Sequence, residues 1–257
     1  MSILKALAAA SVLSIAAATP AMAAMTDITF SNVKATWFAP IGGSNLHEET
    51  NGSDNAAIFW GSGNGPQSGY RFQTNIPMIS VNTDTQTSAV TSIGTFTHYN
   101  YAINSGSGIS GIKLKLTMDV TVGSTVMQNI DFVYAFNHWE TPNGNNPCAD
   151  GGNHGQGINN NGCADNVSVN FLQESGFFTI DDIEYALDVE GFLVGDDPAT
   201  SFWTREEATN VAELRGTVVL RSLAGAVPEP ATWAMMIGGF AIAGGALRRR
   251  KTAVSFA

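Results

Sequence analysis

Apolar and polar side chains alternate with a period of two along much of the chain between residues 24 and 226. The clearest run places apolar residues at every second position: Ile112, Leu114, Leu116, Met118, Val120 and Val122. Residues 130–136 and 183–189 repeat the pattern. Such alternation is typical of a strand with one buried face and one solvated face.

Shorter apolar runs extend the strand prediction to residues 28–38, 56–60, 69–73, 89–101, 167–171 and 211–220. Asn-Gly pairs, which favour tight turns, separate several of these runs. Only residues 204–212 hint at a short helix. Many short strands joined by Gly-rich turns predict an all-β fold, an antiparallel β-sandwich of the jelly-roll type, over residues 24–226.

Residues 1–23 have the features of a secretory signal peptide. Lys5 supplies a positive charge, residues 6–18 are mostly apolar, and residues 21–23 (Ala-Met-Ala) form a small-x-small cleavage site. We therefore expect export through the Sec translocon, cleavage by signal peptidase and a mature chain that begins at Ala24. A structural N-terminal helix is the alternative.

Residues 227–251 have three parts in a fixed order. A rigid segment, Pro228-Glu229-Pro230, precedes an uncharged apolar stretch at residues 231–247. A basic end at residues 248–251 follows, containing Arg248, Arg249 and Arg250. The apolar stretch predicts a single transmembrane helix, and the basic end should stay cytoplasmic because moving it across a membrane is costly. The alternative is an ordinary C-terminal anchor helix, which would not require these three parts in this order.

This tail closely resembles the PEP-CTERM sorting signal of Gram-negative bacteria that make exopolysaccharide. The resemblance implies that exosortase, a membrane-embedded cysteine peptidase, recognises the tail. It also implies an exported protein that passes through the inner membrane and then reaches the cell surface or the extracellular space. A removable tail of this kind leaves the mature protein without a transmembrane helix.

Charge supports the division of the chain into a domain and its targeting ends. The chain has 12 basic and 22 acidic residues, and Lys5 and the basic end at 248–251 lie outside the predicted domain. The domain is therefore strongly acidic, which argues against nucleic acid as a partner, since phosphates require a basic face.

Thr97, His98 and Asn100 lie on one predicted strand. Alternation places His98 and Asn100 on the same face, where they could bond to each other or to a loop. The plainest interpretation is a buried polar pair that fixes the register of the fold. A ligand or metal contact and a catalytic role are the alternatives, and a lone histidine is weak evidence for an enzyme.

Thr97-His98-x-Asn100 resembles the signature of the THxN family of PEP-CTERM proteins. The flanking segments around Trp60 and Tyr70 agree with that family. The resemblance implies a secreted β domain of unassigned biochemical activity, and it supplies no catalytic site.

The only two cysteines of the chain, Cys148 and Cys163, enclose a loop rich in glycine and asparagine. Export to an oxidising compartment predicts a disulfide between them. One alternative is a cysteine nucleophile with His154 as its base. The other is a zinc site formed by both cysteines with His138 and His154, although the spacing matches no zinc finger.

We expect no resident cofactor, but the cystine loop leaves one alternative open. It carries oxygen-bearing side chains of the kind that bind calcium: Asp150, Asn153, Asn159, Asn160, Asn161 and Asp165. The spacing of these residues matches no calcium-loop motif, and a solvated loop is the simpler interpretation.

His138, Trp139 and Glu140 follow a predicted strand and form a candidate sugar-binding group. The other candidate aromatic residues are Trp37, Trp60 and Trp203. Four acidic residues could include a glycosidase pair: Asp131, Glu140, Glu206 and Glu207. Nothing in the sequence places two of these carboxylates at the separation that glycoside hydrolysis needs.

These observations together predict a non-enzymatic exported protein of the cell surface or extracellular matrix, associated with the exopolysaccharide layer. The alternative is a carbohydrate-binding or carbohydrate-modifying module that acts through His138, Trp139 and the cystine loop. Ice binding is a third hypothesis. It would need flat arrays of Thr-x-Thr, of which the sequence has only scattered cases.

Overall fold

A computed structural model describes residues 25–170, 177–222, 235–242 and 244 of the chain. The predicted signal peptide at residues 1–23 lies outside the described residues, as do Pro228-Glu229-Pro230 and the basic end at 248–251. Residues 235–242 and 244 are helical. Within the described ranges, we find no helix with the length and apolar character needed to cross a membrane.

Apart from one 3-10 turn, the regular elements in the described part of the domain are β-strands. In chain order they are β1 (Met25–Gly42), β2 (His47–Glu49), β3 (Asn55–Trp60), β4 (Ser68–Thr74), β5 (Ile79–Asn82), β6 (Thr87–Ser88), β7 (Thr91–Asn100), β8 (Ile109–Val122), β9 (Thr125–Trp139), β10 (Asp165–Asn170), β11 (Phe177–Ile180), β12 (Ile183–Val194), β13 (Asp197–Ala199), β14 (Ser201–Thr204) and β15 (Ala208–Ser222). One 3-10 turn, Gly157–Asn159, lies in the loop between β9 and β10.

All the strand pairings are antiparallel, and they join into one hydrogen-bonded sheet. The order along its main path is β14-β10-β9-β8-β1-β5-β6-β15-β7-β4-β3-β2, with β12 beside β15. The sheet folds over so that β1 and β9 pack against β7, which gives a sandwich-like arrangement. The all-β, antiparallel prediction is confirmed, but both layers belong to one continuous sheet.

Alternation explains how the layers meet. In β8 every second residue from Ile112 to Val122 is buried, as predicted. Phe96 of β7 lies at the centre of the aromatic core, with its ring 6.0 Å from Trp37, 5.2 Å from Phe136 and 5.3 Å from Phe192. Burial of such side chains is the main favourable contribution to folding.

One sequence prediction for this part of the chain differs from the structure. The weak helix prediction at residues 204–212 is wrong, because β14 ends at Thr204 and β15 begins at Ala208. Pairing of β15 with β7 stabilises the extended backbone and overrides local helix propensity.

At the far end of the sheet, β2 is an edge strand of three residues, all exposed.

Candidate functional site

The loop between β9 and β10 is closed by a disulfide between Cys148 and Cys163, with an S–S distance of 2.01 Å. This confirms the predicted bond. It removes both thiolates, so neither the cysteine nucleophile nor the zinc site that used these cysteines is available. Asp150 instead organises the loop, because its carboxylate accepts bonds from the Asn159 amide at 2.9 Å and from the Gly152 amide at 3.0 Å.

Next to this loop, the two layers enclose a group of polar side chains that we call the buried polar cluster. Its members are Trp60, Tyr70, His98, Asn100, His138, Glu140, Asp165, Thr204 and Glu206. Strands β3, β4, β7, β9, β10 and β14 supply most of these residues, while Glu140 directly follows β9 and Glu206 lies in the turn after β14. They are brought together by the sheet topology, since they are widely separated in the sequence.

His98 and Asn100 both bind Thr204 and are fully buried. His98 Nδ1 lies 3.0 Å from Thr204 Oγ1, and the Asn100 amide donates to the Thr204 carbonyl oxygen at 3.1 Å. Because the Thr204 hydroxyl donates to the Asp165 carbonyl oxygen at 3.1 Å, His98 Nδ1 is the donor in its bond. The neighbouring residue Thr97 lies on the opposite face of β7.

The predicted alternation of the motif is therefore present, and the two inward residues share a partner on β14. The pair ties β7 to β14, which lies in the other layer, as the plain register interpretation expects. Burial and the neighbouring His138 lower the pKa of His98 well below its usual value, so the ring is neutral at physiological pH.

His138 connects a tyrosine to a carboxylate. Its Nδ1 lies 2.6 Å from the Tyr70 hydroxyl, and its Nε2 lies 3.2 Å from Glu140 Oε2. His138 is buried, whereas Glu140 is only half-buried. Burial raises the pKa of Tyr70 well above its usual value, with smaller contributions from Asp165 and Glu140, so the phenol stays protonated.

Two carboxyl groups of the cluster have strongly raised pKa values. Burial, followed by the nearby Glu140 carboxylate, raises the pKa of Asp165 to about 9. The same two causes, in the same order, raise the pKa of Glu206 to about 7. Asp165 Oδ1 accepts a bond from the Thr141 amide at 2.6 Å, which partly offsets the cost of burial.

Four buried side-chain atoms among the described residues have no hydrogen-bond partner, and all four belong to the buried polar cluster. They are Trp60 Nε1, His98 Nε2, Asn100 Oδ1 and Asp165 Oδ2. An unsatisfied buried polar atom costs about 1–3 kcal/mol, so such atoms are uncommon and usually have a specific reason.

The predicted sugar-binding group does not share one surface. His138 faces inward, while Trp139, the next residue along β9, faces outward and is 54% exposed. Trp139 pairs instead with Trp203 of β14, with ring centres 5.9 Å apart at an angle of 50°. Asn166 of β10 lies between them, because its backbone is the register partner of both tryptophans.

The other candidate residues are dispersed. Trp37 and Trp60 are fully buried. Asp131 lies on β9, where its Oδ2 forms an ion pair with Lys115 Nζ at 3.4 Å. Glu207 accepts a hydrogen bond from the backbone amide of Ala102. Glu206 has no exposed surface, so it cannot form a glycosidase pair with another of these carboxylates on a surface that a sugar reaches.

Sequence reasoning missed Tyr70 and Thr204 as members of the cluster, and it placed Asp165 in the loop as a calcium candidate. It also gave no sign that Trp139 and Trp203 are neighbours. The signal for Tyr70 was its presence in a segment that resembles the flanks of the Thr-His-x-Asn signature. The contacts of Thr204 and Trp203 depend on long-range pairing, which a single sequence does not reveal.

Comparison with known families finds one feature of the chain. A model of the PEP-CTERM protein-sorting motif matches residues 226–251. The search of curated proteins finds no match. The chain therefore carries the sorting motif that indicates an exported protein processed by exosortase, and this agrees with the tail segment predicted from the sequence.

Proposed function

We propose that this chain is a non-enzymatic protein of the cell surface or extracellular matrix that binds exopolysaccharide. The outer face of β9, β10 and β14 would be the binding surface. The sorting motif supports export. The ring pair formed by the exposed Trp139 and the half-buried Trp203 is the observation on which the binding proposal depends.

The shape of this face suits a sugar chain. Indole rings present large apolar surfaces that can stack on the C–H faces of pyranose rings, and tryptophan is usually well buried in proteins. The backbone of Asn166 lies between those of the two tryptophans in the sheet, and its side-chain amide donates to the Phe202 carbonyl oxygen at 3.4 Å. The neighbouring row across the same strands is also polar: Asn137, Ser168 and Ser201. Aromatic surfaces flanked by polar groups recognise amphipathic ligands.

A binding role is better supported than a carbohydrate-modifying one. Among the described residues, Asp165 and Glu206 have the raised pKa values that a general acid needs, but both are fully buried. Among the described residues of the outer face, neither tryptophan has such an acid beside it. The family resemblance of Thr97-His98-x-Asn100 also implies no catalytic site.

Replacing Trp139 or Trp203 by alanine should weaken polysaccharide binding at least tenfold. Each truncation removes one stacking surface, while the exposure of Trp139 means that folding should change little. Binding of the purified full-length protein to exopolysaccharide and to a glycan array measures this. Phe177→Ala, which truncates a 50% exposed aromatic residue elsewhere, is the control and should bind normally. Absence of binding by the wild-type protein, or equal binding by all variants, would contradict the proposal.

Replacing Pro228, Glu229 and Pro230 together by alanine should trap the protein in the membrane fraction. The three residues lie within the matched sorting motif, so exosortase should no longer process the tail. Cell fractionation of strains with and without exosortase measures the size and location of the protein. If the wild-type protein has the same size and location in both strains, the tail is an ordinary anchor.

A further inference from the structure

We propose that His138, Glu140 and Asp165 form a binding site for one divalent transition metal ion, such as Zn²⁺ or Mn²⁺. The site lies at the base of the cystine loop. One ligand atom from each of the three residues lies within 4.8 Å of the others. Ligand atoms of a tetrahedral zinc ion lie about 2.0–2.2 Å from it and so about 3.3–3.6 Å from one another. Binding would therefore draw the most widely separated of the three atoms together by up to about 1.5 Å.

The histidine is already oriented for this role. Its Nε2 lies on the carboxylate side, 3.2 Å from Glu140 Oε2, which is an ordinary separation for two ligands of one ion. Its Nδ1 lies 2.6 Å from the Tyr70 hydroxyl. Histidine ligands of metals characteristically bond through their second nitrogen to a fixed partner, which sets the tautomer. Tyr70, which is fully buried, supplies that partner.

A second observation points to a ligand independently of the spacing. Asp165 has no exposed surface, and its Oδ2 has no hydrogen-bond partner among the described residues. Its other oxygen, Oδ1, accepts a hydrogen bond from the Thr141 backbone amide at 2.6 Å. Rotation of the carboxyl group that would bring Oδ2 to another partner would break this bond. A cation beside His138 and Glu140 would satisfy Oδ2.

The electrostatics of the cluster favour a cation. Burial, and after it the nearby Glu140 carboxylate, raises the pKa values of Asp165 and Glu206. A divalent ion would compensate the negative charges of Glu140 and Asp165. Bound cations reverse the local preference for protonated carboxyl groups in this way.

The ligand types select among metals. One imidazole nitrogen with two carboxylate oxygens suits Zn²⁺ and Mn²⁺, whereas Ca²⁺ and Mg²⁺ prefer oxygen ligands alone. This set differs from both metal sites considered from the sequence, because it uses neither cysteine and only Asp165 from the calcium group.

An ion could reach the site from solvent. Glu140 and Thr141 line an open cavity of about 470 Å³, together with Gly108 and Asn143. Gly108 lies against Glu140, and a side chain there would come within 3.0 Å of Oε2. The carboxylate of Glu140 therefore stands between the open cavity and the buried polar cluster.

A bound ion would have a structural effect on the loop. His138 lies near the end of β9, Glu140 directly follows that strand, and Asp165 begins β10, so the ligands bracket the cystine loop at its base. Coordination would join these two chain segments close to the disulfide.

Binding of Zn²⁺ and Mn²⁺ to the full-length protein tests the proposal. The protein is purified without a polyhistidine tag, treated with EDTA and dialysed. We expect one ion per chain by elemental analysis, a saturable signal by calorimetry and a higher melting temperature. Asp165→Asn and Glu140→Gln should each weaken binding at least tenfold and abolish the rise in melting temperature. Both variants are expected to fold, because each amide keeps the shape of the carboxylate.

The matched control is Asp150→Asn, which removes a carboxylate from the cystine loop but not from the proposed site. It should bind Zn²⁺ as the wild-type protein does. Three outcomes would overturn the proposal: no binding of either ion, binding that survives both Asp165→Asn and Glu140→Gln, or binding that Asp150→Asn removes. Polysaccharide binding by the tryptophan face is measured separately, so the two proposals can fail independently.

Discussion

Replacing His98 by alanine is expected to lower the free energy of unfolding by about 2–4 kcal/mol, because the change combines two losses. It leaves a cavity in a fully buried region, where the ring packs 5.0 Å from Tyr70 and 5.2 Å from His138. It also removes the hydrogen bond to Thr204 that links β7 to β14. Urea denaturation of the full-length protein, followed by tryptophan fluorescence, measures the difference.

The control for this variant is His47→Ala. The His47 side chain is 52% exposed, so its truncation should change the stability by no more than about 0.5 kcal/mol. A His98→Ala protein as stable as the wild type, but unable to bind polysaccharide, would contradict the structural interpretation of the motif. It would instead favour the ligand-contact alternative.

Replacing Asp165 by asparagine is expected to stabilise the EDTA-treated protein at alkaline pH, by about 2–4 kcal/mol near pH 9. The pKa of Asp165 is raised from 3.8 to about 9 by burial and by Glu140. A group with a raised pKa in the folded state contributes its full stability below its unfolded pKa, and that contribution is lost as the pH rises to the folded pKa. Asparagine does not titrate, so the variant lacks this loss.

Other groups in the cluster also titrate. Glu206, with a pKa near 7, adds a loss of stability in the same direction, while His98 has a lowered pKa and loses its contribution as the pH falls below 6.5. Both groups are present in the variant and in the wild type. The difference between the two proteins therefore reports on Asp165 and on its repulsion of Glu206.

Denaturation in EDTA at several pH values between 5 and 9 checks this prediction. The advantage of Asp165→Asn should grow steadily with pH. Asp131→Asn, which alters an aspartate 48% exposed at the surface, should show no such trend. A constant or shrinking difference between Asp165→Asn and the wild type would mean that Asp165 is ionised in the folded protein.

The strands could be predicted from the sequence because their periodicity is local. The alternation from Ile112 to Val122 identifies β8 without reference to any other part of the chain. The disulfide was equally predictable, because Cys148 and Cys163 leave only one intramolecular pairing. In contrast, residues 204–212 combine the end of one strand, a turn and the start of another, which no local pattern separates.

The candidate sites could not be predicted in the same way. His98 and Asn100 were recognised as neighbours on one face, but their shared partner Thr204 is more than 100 residues away in the sequence. The grouping of His138 with Trp139 failed for a simple reason: adjacent residues of a strand face opposite sides. Residues that are close in the sequence therefore contribute here to two different surfaces.

The short strand β2 affects how readily an exported protein of this kind associates with copies of itself. Exposed sheet edges present free backbone groups that can pair with another molecule, and secreted proteins at high local concentration risk aggregating in this way. Here the edge contains only His47, Glu48 and Glu49, all exposed. Its brevity offers few sites for pairing, and in a symmetric antiparallel pairing Glu48 would face the Glu48 of a second copy. This margin of the sheet is thus protected against self-association.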